Sequence, residues 1–337
     1  MLKSTTTFLG KLFGRTTLAA VQLFVLAVLA WSILRVFPGD RLLPVRLGSY
    51  FLPWIFIALL PALLIAFISQ KRWTIGFTLL AFALVASRFS YLLMPQVPLV
   101  SADFADTQLR VMTFNVHYAN RNADSIAELI LTEQPDIIAL QELTPQLGRP
   151  LLSKLKNEYP HYLAGGNSSV IISRYPLTRQ QKPYGTGRSE RAIVDTPAGK
   201  IDLWNVHPPT AVRQWGWEEQ NQFFSLIANE IKDETGPMIV LGDFNSTDQA
   251  ENYQLIANQL TSVHHAVGSG FGFTYPDPSI IDTIGVIPRL GPLPLNPIVH
   301  IDHIFVSDQF TPIETHIIPH GHGSDHRPVV ATLQIGQ

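Results

Sequence analysis

The chain of 337 residues has no cysteine, which excludes disulfide bonds and thiolate metal sites. That absence suits an oxidising and a reducing compartment equally well. Acid is almost missing from the first hundred residues, where Asp40 stands alone against nine Lys or Arg, and histidine is missing from them altogether. The later part has the opposite shortage: residues 101–337 carry fifteen basic against twenty-five acidic side chains, a net charge of −10. A domain so charged lacks the broad basic footprint that long nucleic acid calls for. No repeat, low-complexity tract or heptad is present, which excludes solenoids and coiled coils. Nor does a glycine-rich phosphate loop follow the first strand-like segment, which disfavours a purely parallel dinucleotide-binding sheet.

What the first part does have is apolar length. A bilayer is crossed by about 20 residues of helix, and three stretches qualify: about 16–37, 47–68 and 73–94. Arg88 lies near the end of the third, where a long side chain can snorkel. Pro53 stands near the start of the second and Pro61 inside it, where it should kink the helix or mark packing against a neighbour. A membrane domain over 1–95 follows, with a proline-containing linker over 96–108. Lys3, Lys11, Arg15, Lys71 and Arg72 outnumber Arg35, Arg41 and Arg46 on the opposite side, which favours a cytoplasmic N-terminus. The expectation is a multi-pass protein of a bacterial inner or plasma membrane whose remaining residues, 109–337, are extracytoplasmic.

Those residues alternate strand-length and helix-length segments. Strands are expected at 109–115, 136–140, 170–173, 191–195, 201–206, 238–241, 299–306, 313–318 and 329–335. Helices are expected at 125–132, 146–159, 217–231 and 252–260, Pro150 being tolerable only in a first turn. Several strands follow one another through turns, so the sheets are expected to be mixed. Loops at 268–279 and 285–297 are long enough to bind something.

Polar residues collect at the ends of these strands. Met238-Ile239-Val240-Leu241 runs into Gly242-Asp243-Phe244-Asn245, the pattern of a buried strand opening into a site, although it also fits a turn that caps a helix. Asn115, Glu142, His207, Asp302, Asp325 and His326 hold comparable positions. Carboxylates and amide oxygens are hard ligands suited to Mg²⁺ or Mn²⁺. A pair such as Asp302 and His326 would orient an imidazole toward a reacting oxygen. The residue types alone lead to metal-assisted hydrolysis.

In order, Asn115, Gln141-Glu142, Asn205-Val206-His207, Gly242-Asp243-Phe244-Asn245, Ile301-Asp302-His303-Ile304 and Ser324-Asp325-His326 resemble the signature of the endonuclease/exonuclease/phosphatase superfamily. The resemblance spans roughly 107–335. It implies an α/β four-layer sandwich of two mixed β-sheets flanked by helices, here preceded by three transmembrane helices. It also implies Glu142 as principal metal ligand, with Asn115 and Asp325 close by or acting through water. His326, oriented by Asp302, would contact the scissile phosphate. Asp243 would handle a proton, Asn245 would orient the attacking group or phosphate, and His207 would contact phosphate or act as acid.

Substrate contacts are expected from Arg188, Trp215 and Phe273, the last in an aromatic loop suited to stacking or to interfacial insertion. His117, His303, His320 and His322 fill no required place; they read as surface or structurally bonded residues, with His320 and His322 near enough to the site to meet substrate. The function expected is a membrane-anchored, Mg²⁺-dependent phosphodiester hydrolase, with a nuclease foremost. A phospholipid or sphingomyelin phosphodiesterase and an inositol-phosphate phosphatase are the alternatives. An inactive membrane-anchored binding protein is the alternative of another class. The expected partners are nucleic acid or lipid and the bilayer, with no protein partner.

Overall fold

The computed structural model describes residues 2–93, 108–165, 168–180, 188–280 and 297–336. The 96–108 linker, apart from Gln108, and the 285–297 loop, apart from Pro297, lie outside the described residues. Contacts divide the chain into two units, Met1–Leu93 and Met94–Gln337.

In the first unit the helices are α1 (Leu2–Val36), α2 (Leu43–Tyr50), α3 (Leu52–Ser69) and α4 (Arg72–Ala86), with a 3₁₀ extension over Ser87–Leu93. Three segments are long and apolar enough to cross a membrane: Phe13–Val36, Leu52–Ser69 and Arg72–Leu92. The second begins later than the expected residue 47. Leu47–Tyr50 belong to α2, and the helix restarts at Leu52 with Pro53 in its first turn. Proline has no N–H for the preceding turn and its ring crowds the carbonyl four residues back, so Pro53 opens a helix instead of riding inside one.

Pro61, by contrast, is accommodated within α3. That helix buries Leu59, Ala62 and Ala66, and its neighbour α4 buries Thr74, Thr78, Ala81 and Val85. Small residues at three- and four-residue spacing let backbones approach closely where lipid offers no hydrophobic drive. Arg35 in the last turn of α1 and Arg46 in α2 are engaged internally: Arg46 Nη1 donates to the Asp40 carbonyl and Arg35 Nη1 to Ser49 Oγ, each at 2.8 Å.

The described strands of the second unit are β1 (Gln108–Asn115), β2 (Ile137–Gln141), β3 (His161–Ala164), β4 (Val170–Ser173), β5 (Leu177–Arg179), β6 (Ser189–Thr196), β7 (Gly199–Val206), β8 (Met238–Asp243), β9 (Thr261–Ser262), β10 (Asp302–Val306), β11 (Phe310–Ile317) and β12 (Val329–Ile335). One sheet has the order β11-β12-β1-β2-β4-β3, the other β5-β6-β7-β8-β10-β9. Each contains one parallel pair, β1 with β2 and β7 with β8, among antiparallel ones. The helices are α5 (Ala123–Glu133), α6 (Pro145–Leu155), α7 (Gln214–Asp233), α8 (Glu251–Ala257) and α9 (Val263–Val267).

Alternation along the strands builds the layers. Leu109, Val111, Ile137 and Ala139 face Leu203, Ile239, Leu241 and Ile304 of the opposite sheet. Their neighbours Met112, Phe114 and Ile138 turn outward onto Ile126, Ile130, Leu147 and Leu151 of α5 and α6. On the other side Trp204, Val240 and Phe305 meet Phe223, Phe224 and Ile227 of α7 and Tyr253 of α8. The result is four layers: helices, sheet, sheet, helices. Both faces of the central strands are covered, which is why they read as unbroken apolar runs. Each fully buried aliphatic side chain contributes about 1.5–3 kcal/mol.

Near one rim a polar bridge crosses this apolar middle. Asn205 of β7 donates through Nδ2 to the carbonyls of Leu140 and Val170 in the opposite sheet and accepts at Oδ1 from Gln141 Nε2 at 2.8 Å. Elsewhere α6 departs from expectation, since Pro150 is its sixth residue. Both Pro150 and Gln146, whose carbonyl loses its helical donor there, are exposed, so water can satisfy that group.

Candidate active site

Parallel pairing puts the C-terminal ends of four strands at one rim. Asn115 pairs with Gln141, Val206 with Gly242, and antiparallel β10 brings Asp302 opposite Asp243. The rim therefore draws Asn115 and Glu142 from one sheet and His207, Asp243 and Asp302 from the other, while the loop from β11 to β12 supplies Asp325 and His326.

Local geometry requires Gly242. Its φ is +152°, and a Cβ built there would lie 1.9 Å from the Val206 carbonyl oxygen. Glu142, Asn245 and His117 take left-handed backbone conformations, with φ of 58°, 48° and 61°. Such residues cost on the order of 1–3 kcal/mol each. At Glu142 that conformation turns the chain out of β2, and the Tyr118 N–H holds Glu142 Oε2 at 2.9 Å.

The carboxylate of Asp243 is the hub. Asn115 Nδ2 donates to its Oδ2 at 3.0 Å, the Asn245 N–H to its Oδ1 at 2.8 Å, and His207 Nε2 and His326 Nε2 stand 3.5 and 3.7 Å from Oδ2. Burial opposes ionisation, yet His326, the hydrogen bond from His207 and the amide of Asn115 together hold this carboxyl well below the usual carboxylate range. His326 Nδ1 lies 2.9 Å from Asp302 Oδ2. Burial alone would lower this imidazole, but Asp302 and Asp243 outweigh it and raise it to about 10. At that value the ring keeps both N–H groups at neutral pH, Nδ1–H held by Asp302 and Nε2–H on the side of Asp243.

The residues suited to a divalent ion sit beside this hub. Glu142 is partly exposed, and Asp325 Oδ1 is buried without a hydrogen-bond partner. Burial pushes the Asp325 carboxyl up despite His326 and His117 nearby. An orphaned carboxylate oxygen next to a second carboxylate fits a hard cation that neither alone would satisfy. Asn115 lies close by, its nitrogen facing Glu142 Oε1 at 3.2 Å and Asp243 Oδ2 at 3.0 Å, while its oxygen accepts from the His117 N–H. Asp243, Asp302 and His326 also bring ligand atoms within 4.8 Å of one another. There, however, Asp302 is committed to His326 and Thr274, which suits a proton relay better than a metal centre.

Other expected residues are placed differently. Asn245 directs its side chain to the Pro208 carbonyl at 3.1 Å and to Asp243 at 3.3 Å, so it braces the hub instead of facing outward. Arg188 pairs with Glu219 at 3.5 Å, and Arg191 is tied to Asp202 and Glu234 with Trp204 beneath it. Trp215, in the first turn of α7, is 61% exposed. Phe273 stacks on Phe271, half-buried within its loop. Three contributors are not singled out as residues by the sequence: the Tyr118 amide, which has no signal in its own neighbourhood, and, within the expected aromatic loop, Thr274 and Tyr275, whose ring centre lies 4.9 Å from that of His326.

A family model described as the Endonuclease/Exonuclease/phosphatase family matches residues 112–326. No match is found among curated proteins. Among solved structures, an endonuclease/exonuclease/phosphatase from Beutenbergia cavernae DSM 12333 is 21% identical, with a TM-score of 0.51 over 68% of this chain and 72% of that one. D. rerio TDP2 complexed with a single strand DNA product is 19% identical, with a TM-score of 0.54 over 68% of this chain and all of that one. Beta toxin from Staphylococcus aureus is 15% identical, with a TM-score of 0.50 over 66% and 99%. At these identities the likeness shows a shared fold.

Proposed function

Because the chain belongs to the endonuclease/exonuclease/phosphatase family, we propose that it is a membrane-anchored, divalent-metal-dependent phosphodiester hydrolase acting on nucleic acid. The observation that carries this reading is the Asp243 hub, a buried ionised carboxylate within 4 Å of two imidazoles and beside the orphaned oxygen of Asp325.

The chain's own groups divide the work. Asp243 accepts a proton from the attacking water, and hydrogen bonds from Asn115 to its Oδ2 and from the Asn245 N–H to its Oδ1 hold the carboxylate in place. His326, charged and steadied by Asp302, donates its Nε2–H to a non-bridging phosphoryl oxygen and offsets the negative charge that builds there. His207 lies between Glu142 and Asp243, at 3.7 and 3.5 Å, where it can pass a proton to the leaving oxygen. Glu142 and Asp325, with Asn115 behind them, would hold Mg²⁺, or Mn²⁺ in its place. Such an ion polarises the phosphoryl group and neutralises charge.

A second reading, hydrolysis of a lipid phosphodiester, is favoured by one observation: the three helices long and apolar enough to span a bilayer. Anchoring, the cytoplasmic N-terminus and an extracytoplasmic catalytic unit belong to the same proposal.

The test is Mg²⁺-dependent hydrolysis by the full chain in detergent, assayed on single-stranded and duplex DNA, sphingomyelin and phosphatidylinositol phosphates. Asp243→Asn is expected to lose roughly 10²–10⁴-fold in rate with its thermal melt intact. Glu142→Ala is expected to lose turnover and calorimetric Mg²⁺ binding together. An Asp243→Asn protein as active as wild type would refute the assignment.

A further inference from the structure

Beside the hub lies a cleft of about 670 Å³ that the chemistry above does not use. Its walls come from the segment after Tyr118 (Asn120, Arg121 and Ser125), the segment before Ser324 (His320 and His322) and Ser279 at the end of the 268–279 loop. In a unit with a net charge of −10, no carboxylate lines it among the described residues. The nearest acids that His322 senses are Asp277, already ion-paired to Arg327, and Glu128 on α5.

The walls are tied to each other. Asn120 Nδ2 donates to the His322 carbonyl at 3.1 Å, and Ser125 Oγ meets His322 Nδ1 at 2.7 Å. Arg121 spends Nη1 on the carbonyls of Tyr118 and Asn120, at 2.9 and 2.7 Å. Its Nε and Nη2 make no hydrogen bond or ion pair among the described residues, and His320 is exposed and likewise uncommitted. The cleft thus presents a braced guanidinium and an imidazole with open donors, a combination that recognises phosphate. Three residues before Arg121, Tyr118 is 62% exposed, while its own N–H is fixed to the Glu142 carboxylate at 2.9 Å. An exposed aromatic ring anchored by its backbone is a platform on which a base can stack.

Resting on the hydrolase reading, we infer that this cleft is a second phosphate subsite, and that the substrate is a polynucleotide single strand. The scissile phosphate lies at Asp243 and His326, a base on Tyr118, and a neighbouring phosphate against Arg121 and His320. A lone diester would leave the cleft empty. The acidic total of the unit is then no obstacle to a polyanion, because affinity comes from the local donors of Arg121 and His320.

The experiment compares kcat/KM of the full chain in detergent on the thymidine dinucleotide, which has one phosphate, and the trinucleotide, which has two. Wild type is expected to favour the trinucleotide by about tenfold or more, the worth of one charge-assisted hydrogen bond. Arg121→Gln and His320→Ala are expected to erase most of that preference through KM. His320→Ala removes an exposed ring with no bond among the described residues, so it keeps the test valid if the Arg121 loop is unsettled by its own substitution. No preference in wild type, or one that survives both variants, overturns the subsite. Turnover of phosphatidylinositol phosphate or sphingomyelin vesicles without either oligonucleotide overturns it too, and leaves phosphoester hydrolysis standing. A folded chain that hydrolyses nothing overturns both readings.

Discussion

His303 and His326 are both buried, yet one is neutral and the other charged, because their neighbours differ. His326 lies between two carboxylates, whereas His303 packs on His300, Tyr253 and Phe244 and donates to the Ser246 carbonyl at 2.9 Å. Burial lowers His303 to about 4 and lowers His264 and His300 as well. In the unfolded chain these rings titrate near 6.5. Between about pH 6.5 and 4 the unfolded state therefore takes up protons that the folded state refuses. Stability is full above 6.5 and falls as pH drops toward 4, with His303 alone contributing on the order of 3 kcal/mol. His326 has the opposite sign, its stabilisation present below 6.5 and lost as pH rises toward 10. Urea midpoints at pH 7.5, 6.5 and 4.5 should peak at the middle value, and a flat profile would contradict the neutral cluster. Residue type gives Asp302 a place at the site and His303 none, but only packing shows that the imidazole is buried neutral behind the carboxylate at the rim.

At the scale of the element, the strand ends are what the sequence makes legible. Runs such as Met238–Leu241 announce burial, and a polar residue directly after them announces an edge, which is how Asn115, Glu142, His207 and Asp243 can be picked out. The failures have physical causes. Strands β3, β5 and β9 have four, three and two residues, too few to show a period. Pro150 inside α6 is tolerated because the carbonyl it strands is exposed, a property of the fold. At Asn245 the sequence shows only a place beside Asp243; that its amide donates to the Pro208 carbonyl and to Asp243 is visible in the fold alone. Gly242 gives this scale its test. Gly242→Ala sets a methyl against the Val206 carbonyl and should cost about 3 kcal/mol or more. Gly236→Ala, whose Cβ meets nothing within 4 Å, should cost far less. Thermal melts of the pair check this, and equal midpoints would mean the rim backbone is not constrained as described.

For the whole molecule, the division of charge and hydropathy is readable at a glance, while the exact spans are not, since Pro53 moves a helix start from 47 to 52. Three crossings would put the two ends of the chain on opposite sides of a bilayer. Protease added to sealed, right-side-out vesicles should then degrade a tag at the C-terminus and spare one at the N-terminus; the reverse pattern would invert the proposed topology. Within the second unit, the Asn205 bridge has a mechanical consequence. Dispersion between two apolar sheets is nondirectional and resists sideways slip only weakly. The catalytic groups, however, are divided between the sheets, so slip of an ångström would pull Glu142 away from Asp243. Asn205 reaches across to two carbonyls on neighbouring strands and acts as a dowel, setting the alignment of the two plates at the edge where alignment matters.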